Sequence, residues 1–240
     1  MVCDSNPATN NVVPYSWLVA AQPEQVVIQQ PDMPPLVLAK LSPDDPNEIV
    51  RQYFKRAYPR ICKKVELQVR RTPRRQTGLY KTNRECRWKL DPQHPDYTAL
   101  EQIFPIEAKL LAQTLSFDGA QKAPDAVSTA ASVVLGHNPE AGTYKCPVSG
   151  KRMDFEALRQ EADHPTHERS KFHVGHIRPK ARGGANTADN TYWVSDLGNR
   201  IQGDNTWQDT VKTIVEMAEY QRKERHGNIS WNELVNRYLD

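Results

Sequence analysis

His173, His176, Asn190 and Asn199 lie in one stretch near the C-terminal end of the chain. A histidine's ordinary pKa is close to neutrality, so an imidazole can take a proton and return it at physiological pH. An amide oxygen is a hard donor of the kind that suits an oxygen-ligating cation. Such groups act only where the backbone holds them, and here the backbone pattern is readable. His173-Val174-Gly175-His176-Ile177-Arg178 is an extended run that Pro179 ends, and Gly183-Gly184 permits a turn with positive φ. Tyr192-Trp193-Val194 is a second extended run. Ser195 can cap a short helix with Asn199 on its first turns and Gly203 as its stop. The expected order is strand, glycine turn, strand, short helix.

With these residues in this order, the stretch resembles the HNH (ββα-metal) endonuclease motif. His176-Ile177-x-Pro179 is followed by Gly183-Gly184, with Asn190 fourteen and Asn199 twenty-three residues after His176. The same spacing occurs in the HNH domain of CRISPR RNA-guided effectors, and many small restriction and phage-type HNH enzymes share the pattern. The match covers about residues 143–205. The resemblance implies a catalytic set of His176, Asn190 and Asn199 acting on a phosphodiester. His176 matches the general base that deprotonates water. Asn199 matches the helix-borne ligand of Mg²⁺, or of another divalent ion such as Mn²⁺, which keeps most of its waters and contacts the scissile phosphate. Asn190 matches the middle residue, which pins the connecting loop by hydrogen bonds.

One position departs from the pattern. Many members of the family carry Asp or His directly before the general base, as a second metal ligand, where this chain has Gly175. Non-specific ββα-metal nucleases also have Gly there and place an acid three residues before the base, where this chain has His173. The resemblance therefore leaves His173 either in the metal shell with Asn199 or in ordinary packing, with Asn199 and solvent alone holding the ion. Arg178, Lys180 and Arg182, beside such a site, are read as phosphate contacts, the alternative being a solvated surface. His164, His167 and Asp204 are read as solvated or capping residues.

Charge is unevenly spread. Residues 51–90 hold fourteen basic and two acidic residues, whereas the whole chain has a net charge of only +3. Such a block attracts a polyanion, because each phosphate neutralised releases condensed counterions. Arg71, Arg74, Arg75, Lys81, Arg84 and Arg87, with Tyr80 and Trp88 interleaved, are the expected double-stranded DNA contacts. Arginine can either hold a phosphate or pair bidentately with guanine.

Along the chain, Asp44-Asp45-Pro46-Asn47-Glu48 reads as a helix start running to about Tyr58, before Pro59. Val65, Leu67 and Val69 alternate with Glu66, Gln68 and Arg70, a half-buried strand signature. Residues 71–78 read as a basic turn, and 79–90 as a second strand-like run. Helices are expected over about Asp96–Leu115, interrupted at Pro105, and over Asp125–Leu135. Thr206–Arg225 is strongly amphipathic, with Trp207, Val211, Ile214, Val215 and Ala218 forming an expected core stripe. Ser230 and Glu233 form a capping box for a last helix.

The expected fold class is α+β: a C-terminal ββα-metal module with flanking helices, preceded by a mixed α/β basic DNA-contact region. The divisions are an irregular arm at 1–46, a DNA-recognition region at 47–140, the catalytic module at 141–205, and C-terminal helices at 206–240 that pack on the module. Cys3, Cys62, Cys86 and Cys146 are scattered without a Cys-x-x-Cys pair, so neither a disulfide framework nor structural zinc is expected. No apolar run nears the ~20 residues that span a bilayer. The N-terminal residues lack a secretory pattern, so a cytoplasmic protein, prokaryotic or phage-encoded, is expected. The leading expectation is a site-specific, type II restriction-like DNA endonuclease, for which double-strand cutting would favour a homodimer acting on a symmetric site. The alternatives are a non-specific or mobile-element nuclease, and a DNA-binding protein with a decayed nuclease site.

Overall fold

The computed structural model describes residues 18–22, 25–28, 36–39, 42–72, 75–77, 81–94, 96–165 and 170–239. Among these residues the architecture is α+β, with helices predominating over three small antiparallel sheets. Leu18–Gln22 (β1), Gln25–Ile28 (β2) and Leu36–Ala39 (β3) form a three-stranded sheet, where composition alone leads to an irregular arm.

Pro46–Ala57 (α1) starts as its sequence dictates. The Asp45 carboxylate accepts the Asn47 N–H at 2.8 Å, and Pro46 occupies the first turn, where its missing N–H costs nothing. Pro59 does not simply end this helix. It opens Pro59–Arg70 (α2), so Val65, Leu67 and Val69 lie on a helix rather than a strand. Ile61, Cys62, Val65 and Val69 bury one side of α2, a four-residue recurrence that outweighs the shorter alternating run. Arg75–Thr77 (β4) and Lys81–Asn83 (β5) form a small hairpin, and Arg87–Lys89 is a 3₁₀ turn rather than strand.

Leu100–Thr114 (α3) is the central helix, nearly all buried beyond its first turn. Pro105 does not interrupt it. The absent proline N–H deprives only the carbonyl of Glu101, an exposed first-turn residue that water can reach. Arg51 of α1 and Arg70 of α2 converge on buried Glu107 of α3, at 3.0 and 2.5 Å, so part of the basic block is spent inside the helical assembly. Asp125–Leu135 (α4) and Phe155–Asp163 (α5) complete this half.

Phe172–His176 (β6) and Thr191–Ser195 (β7) pair antiparallel, with Gly175 opposite Tyr192 and His176 opposite Thr191. Asp196–Gln202 (α6) follows, capped by the Ser195 hydroxyl, which accepts the Gly198 N–H at 3.1 Å. A two-stranded sheet has two open edges, and side chains close both here. Gln68 of α2 accepts from the Val174 N–H at 2.9 Å. On the other edge, Gln113 accepts from Trp193 N–H at 3.4 Å and the Tyr144 hydroxyl donates to the Trp193 carbonyl at 2.8 Å. Trp193, fully buried, also donates its indole N–H to the Leu110 carbonyl at 2.8 Å. The hairpin is thereby seated on α2 and α3.

Trp207–Tyr220 (α7) is anchored at its start, where the Trp207 N–H donates to the Ile177 carbonyl and the indole packs on Tyr192. Its apolar stripe is not core: Val211, Ile214 and Val215 are exposed, because no other described element covers that side. Trp231–Leu239 (α8) opens with the expected capping box, Ser230 N–H to Glu233 and Glu233 N–H to the Ser230 hydroxyl. No helix among the described residues is long and apolar enough to cross a membrane.

Candidate active site

A cleft of about 970 Å³ runs between α2 and the β6–β7–α6 unit. His173, Gly175 and His176 of β6, Asn186 of the connection, and Asn199 of α6 line one side of it. Arg60, Lys63, Lys64 and Leu67 of α2 line the other. His176 and Asn199, brought together only by the fold, thus share one solvent-open cavity.

His176 is half-buried, and its Nε2 lies 2.8 Å from Asn186 Oδ1. Burial, followed by the nearby Lys180 and Arg87 cations, holds its pKa below the ordinary 6.5; the bond to Asn186 opposes this but does not reverse it. The ring is therefore neutral at pH 7, the form that can accept a proton. Asn186 in turn donates from Nδ2 to the hydroxyl of buried Thr98 at 2.7 Å.

Asn190 touches the backbone of its own loop. Its Oδ1 accepts the Arg178 N–H at 2.8 Å, and its Nδ2 donates to the carbonyls of Arg178 at 3.0 Å and Ala185 at 2.8 Å. Lys109 of α3 donates to the Ala188 carbonyl at 2.6 Å, a second tie on the same loop. Gly184 is required there, because a Cβ would fall 1.8 Å from the Arg178 carbonyl oxygen.

Gly175 is required for a different reason. A Cβ there would sit 2.9 Å from Val194 Cγ1 and 3.3 Å from the Tyr192 ring, both buried. The space beside this residue is filled by the hairpin's own packing, so a larger ligating side chain has no room without displacing them. His173, two residues earlier, lines the cleft, and its Nε2 is buried without a hydrogen-bond partner, 3.4 Å from Asp196 Oδ1. Asp196 also pairs with Arg200 at 3.0 Å.

These donors bear on which ion could bind. Among the described residues no group of three or more His, Cys, Asp or Glu side chains gathers to hold a metal. The Asn199 amide on the cleft, with His173 Nε2 buried 3.4 Å from Asp196 Oδ1, fits an ion that takes few protein ligands and completes its shell with water and phosphate oxygens.

The expected DNA contacts divide by environment. Arg87 is buried, 3.2 Å from Asp96 Oδ1, and Lys180 lies 3.1 Å from the same oxygen. Burial pushes the Asp96 carboxyl up, but these two cations outweigh it and hold it below its ordinary value. Arg178 and Arg182 are exposed, with one guanidinium N–H each given to a backbone carbonyl, of Arg182 and Asp204 respectively. Arg71 lines the cleft and donates to the carbonyl of Arg84, which also lines it. Arg75 and Lys81 lie on β4 and β5, while Arg74, like Tyr80 and His167, falls outside the described residues.

Sequence reasoning missed Asn186, Thr98, Asp96 and the α2 cations. Arg60 and Lys63 form no ion pair among the described residues. The three- and four-residue spacing of Arg60, Lys63, Lys64 and Leu67 was the available sign of a polar helix face.

No family model matches this chain, and no curated protein matches its sequence. Among solved structures, the fold is similar to one described as the crystal structure of a type II restriction endonuclease. The TM-score is 0.52 at 13% identity, over 71% of this chain and 81% of that one. The likeness is one of fold.

Proposed function

We propose that this chain is a metal-dependent DNA endonuclease of the HNH type, restriction-like, cutting phosphodiester bonds in double-stranded DNA. One observation carries the reading: His176 and Asn199 line the same open cleft, opposite a wall bearing Arg60 and Lys63. The sequence pattern and the fold likeness to a restriction endonuclease support it.

In this reading, neutral His176 accepts the proton of a water molecule that attacks the phosphorus. Asn190 keeps the loop behind His176 in place without touching substrate. Asn199 and His173 are the residues that would hold the ion. When bound, a Mg²⁺-type ion supplies positive charge against the phosphate and the leaving oxygen. Arg60 and Lys63, with Arg71, Arg84, Arg178 and Arg182, take backbone phosphates, which positions the duplex rather than reading it. Arg87 and Lys180, both held by Asp96, add fixed positive charge near His176.

One such site cuts one strand, so double-strand cleavage calls for two copies of the chain. The exposed face of Val211, Ile214, Val215 and Met217 on α7 supports a homodimer. The protein is read as cytoplasmic, with residues 47–140 serving recognition and 141–205 catalysis.

The test is plasmid DNA incubated with purified protein and Mg²⁺, beside His176→Ala. The wild type should convert supercoiled plasmid to nicked or linear forms, and the variant should bind without cutting. If both retard the plasmid on a gel and neither cuts, the protein is a DNA binder without nuclease activity. Discrete fragments from genomic DNA favour the restriction-like reading; a smear favours a non-specific nuclease.

A further inference from the structure

We propose that Asn186 is a positioning residue for His176: its side-chain oxygen holds the Nε2 proton and leaves Nδ1 as the basic nitrogen for the cleft. The inference rests on the reading of His176 as general base.

The argument is one of donors and acceptors. Asn186 Oδ1 lies 2.8 Å from His176 Nε2, and Asn186 Nδ2 lies 2.7 Å from Thr98 Oγ1. An amide oxygen only accepts, so the nitrogen facing it must carry the proton. A neutral imidazole has one N–H. Placing it on Nε2 leaves a lone pair on Nδ1, which has no hydrogen-bond partner among the described residues. Thr98 is 1% exposed in the segment before α3, so the amide is oriented by the helical half of the molecule, 88 residues away in sequence.

That the orienting group is an amide rather than a carboxylate also matters. A carboxylate at this distance would favour the imidazolium and raise the pKa of the ring. The neutral amide fixes the tautomer without that charge, in keeping with a ring that burial already holds unprotonated.

The experiment is nitrogen-15 NMR of the histidine rings on the full-length, metal-free protein in mildly alkaline buffer, with plasmid kinetics in parallel. His176 should show a protonated Nε2 and an unprotonated Nδ1, and Asn186→Ala should mix the two tautomers. The same variant should lose kcat about tenfold or more, within the range a positioned base contributes, with KM for DNA unchanged. Asn186→Asp, which keeps the acceptor, should retain cleavage but move the acid inflection of the rate to higher pH, a change that mere packing would not produce. If Asn186→Ala fails to fold, Thr98→Val serves instead, by releasing the amide and mixing the tautomers in part. Protonated Nδ1 in the wild type, the signature of an inverted amide, would overturn the proposal, as would unchanged kcat in Asn186→Ala. Protonated Nε2 in a protein that cuts no DNA would uphold the tautomer and remove the nuclease reading alone.

Discussion

Replacing Asn190 with alanine separates a residue that holds a loop from one that touches substrate. The amide makes three hydrogen bonds to backbone groups of its own loop, at 2.8, 3.0 and 2.8 Å. A typical intramolecular hydrogen bond contributes about 1 kcal/mol net, so three amount to about 3 kcal/mol. Arg178 and Ala185 are exposed, and water can replace part of what is lost. The expected cost is then about 1–2 kcal/mol, which lowers Tm by about 3–6 °C in a chain of this length. Cleavage should suffer more than stability. The loop connects the end of β6, where His176 sits, to Asn186 and β7, and a misplacement of about 1 Å can cost about 100-fold in rate. Thermal unfolding and single-turnover plasmid cleavage, measured on the same preparations, give both numbers. Asn190→Asp should be no milder than the alanine variant, since it keeps one acceptor but sets a negative charge against two carbonyl oxygens. A Tm within about one degree of wild type together with full cleavage would refute the loop-pinning account. Abolished cleavage with an unchanged Tm would refute it differently, by making Asn190 a substrate contact.

Other expectations follow from the same geometry. Only neutral His176 can accept a proton. Its pKa is lowered by burial and by Lys180 and Arg87, whose charges Asp96 partly offsets, so kcat/KM should fall on the acid side with its inflection below 6.5; an inflection above 6.5 would count against this base. Gly175→Asp should not create a metal ligand, because its Cβ would press on Val194 and Tyr192. Overpacking of that kind costs about 1–3 kcal/mol, to be seen as a lowered urea midpoint without tighter metal binding. Arg60→Ala with Lys63→Ala should leave Tm unchanged and reduce the slope of log Kd for DNA against log salt by about two. An unchanged slope would take α2 out of the DNA interface.

Much of the site was legible because its signals are local. The paired glycines, the Ser195 cap and the Gly203 stop lie within a few residues of what they control, so strand, turn, strand and helix could be read directly. Other elements were misread where two periods compete. Val65, Leu67 and Val69 alternate like a strand, but Ile61, Cys62, Val65 and Val69 recur like a helix, and burial against α3 decides for the second. The supports of the site were not legible at all, since Gln68 reaches Val174 across 106 residues and Asn186 reaches Thr98 across 88. No local pattern announces such a contact. The α7 stripe shows the converse limit: amphipathicity marks which side is apolar, not what covers it.

The most direct measurement is anomalous diffraction from crystals of His176→Ala bound to duplex DNA and soaked in Mn²⁺. Removing the proposed base leaves the proposed ligands in place and should leave the substrate uncut. The account predicts a manganese peak in the cleft between α2 and α6, with Asn199 Oδ1 and a phosphate oxygen in its coordination shell. DNA seated away from this cleft, or manganese bound with Asn199 turned from it, would contradict the central claim.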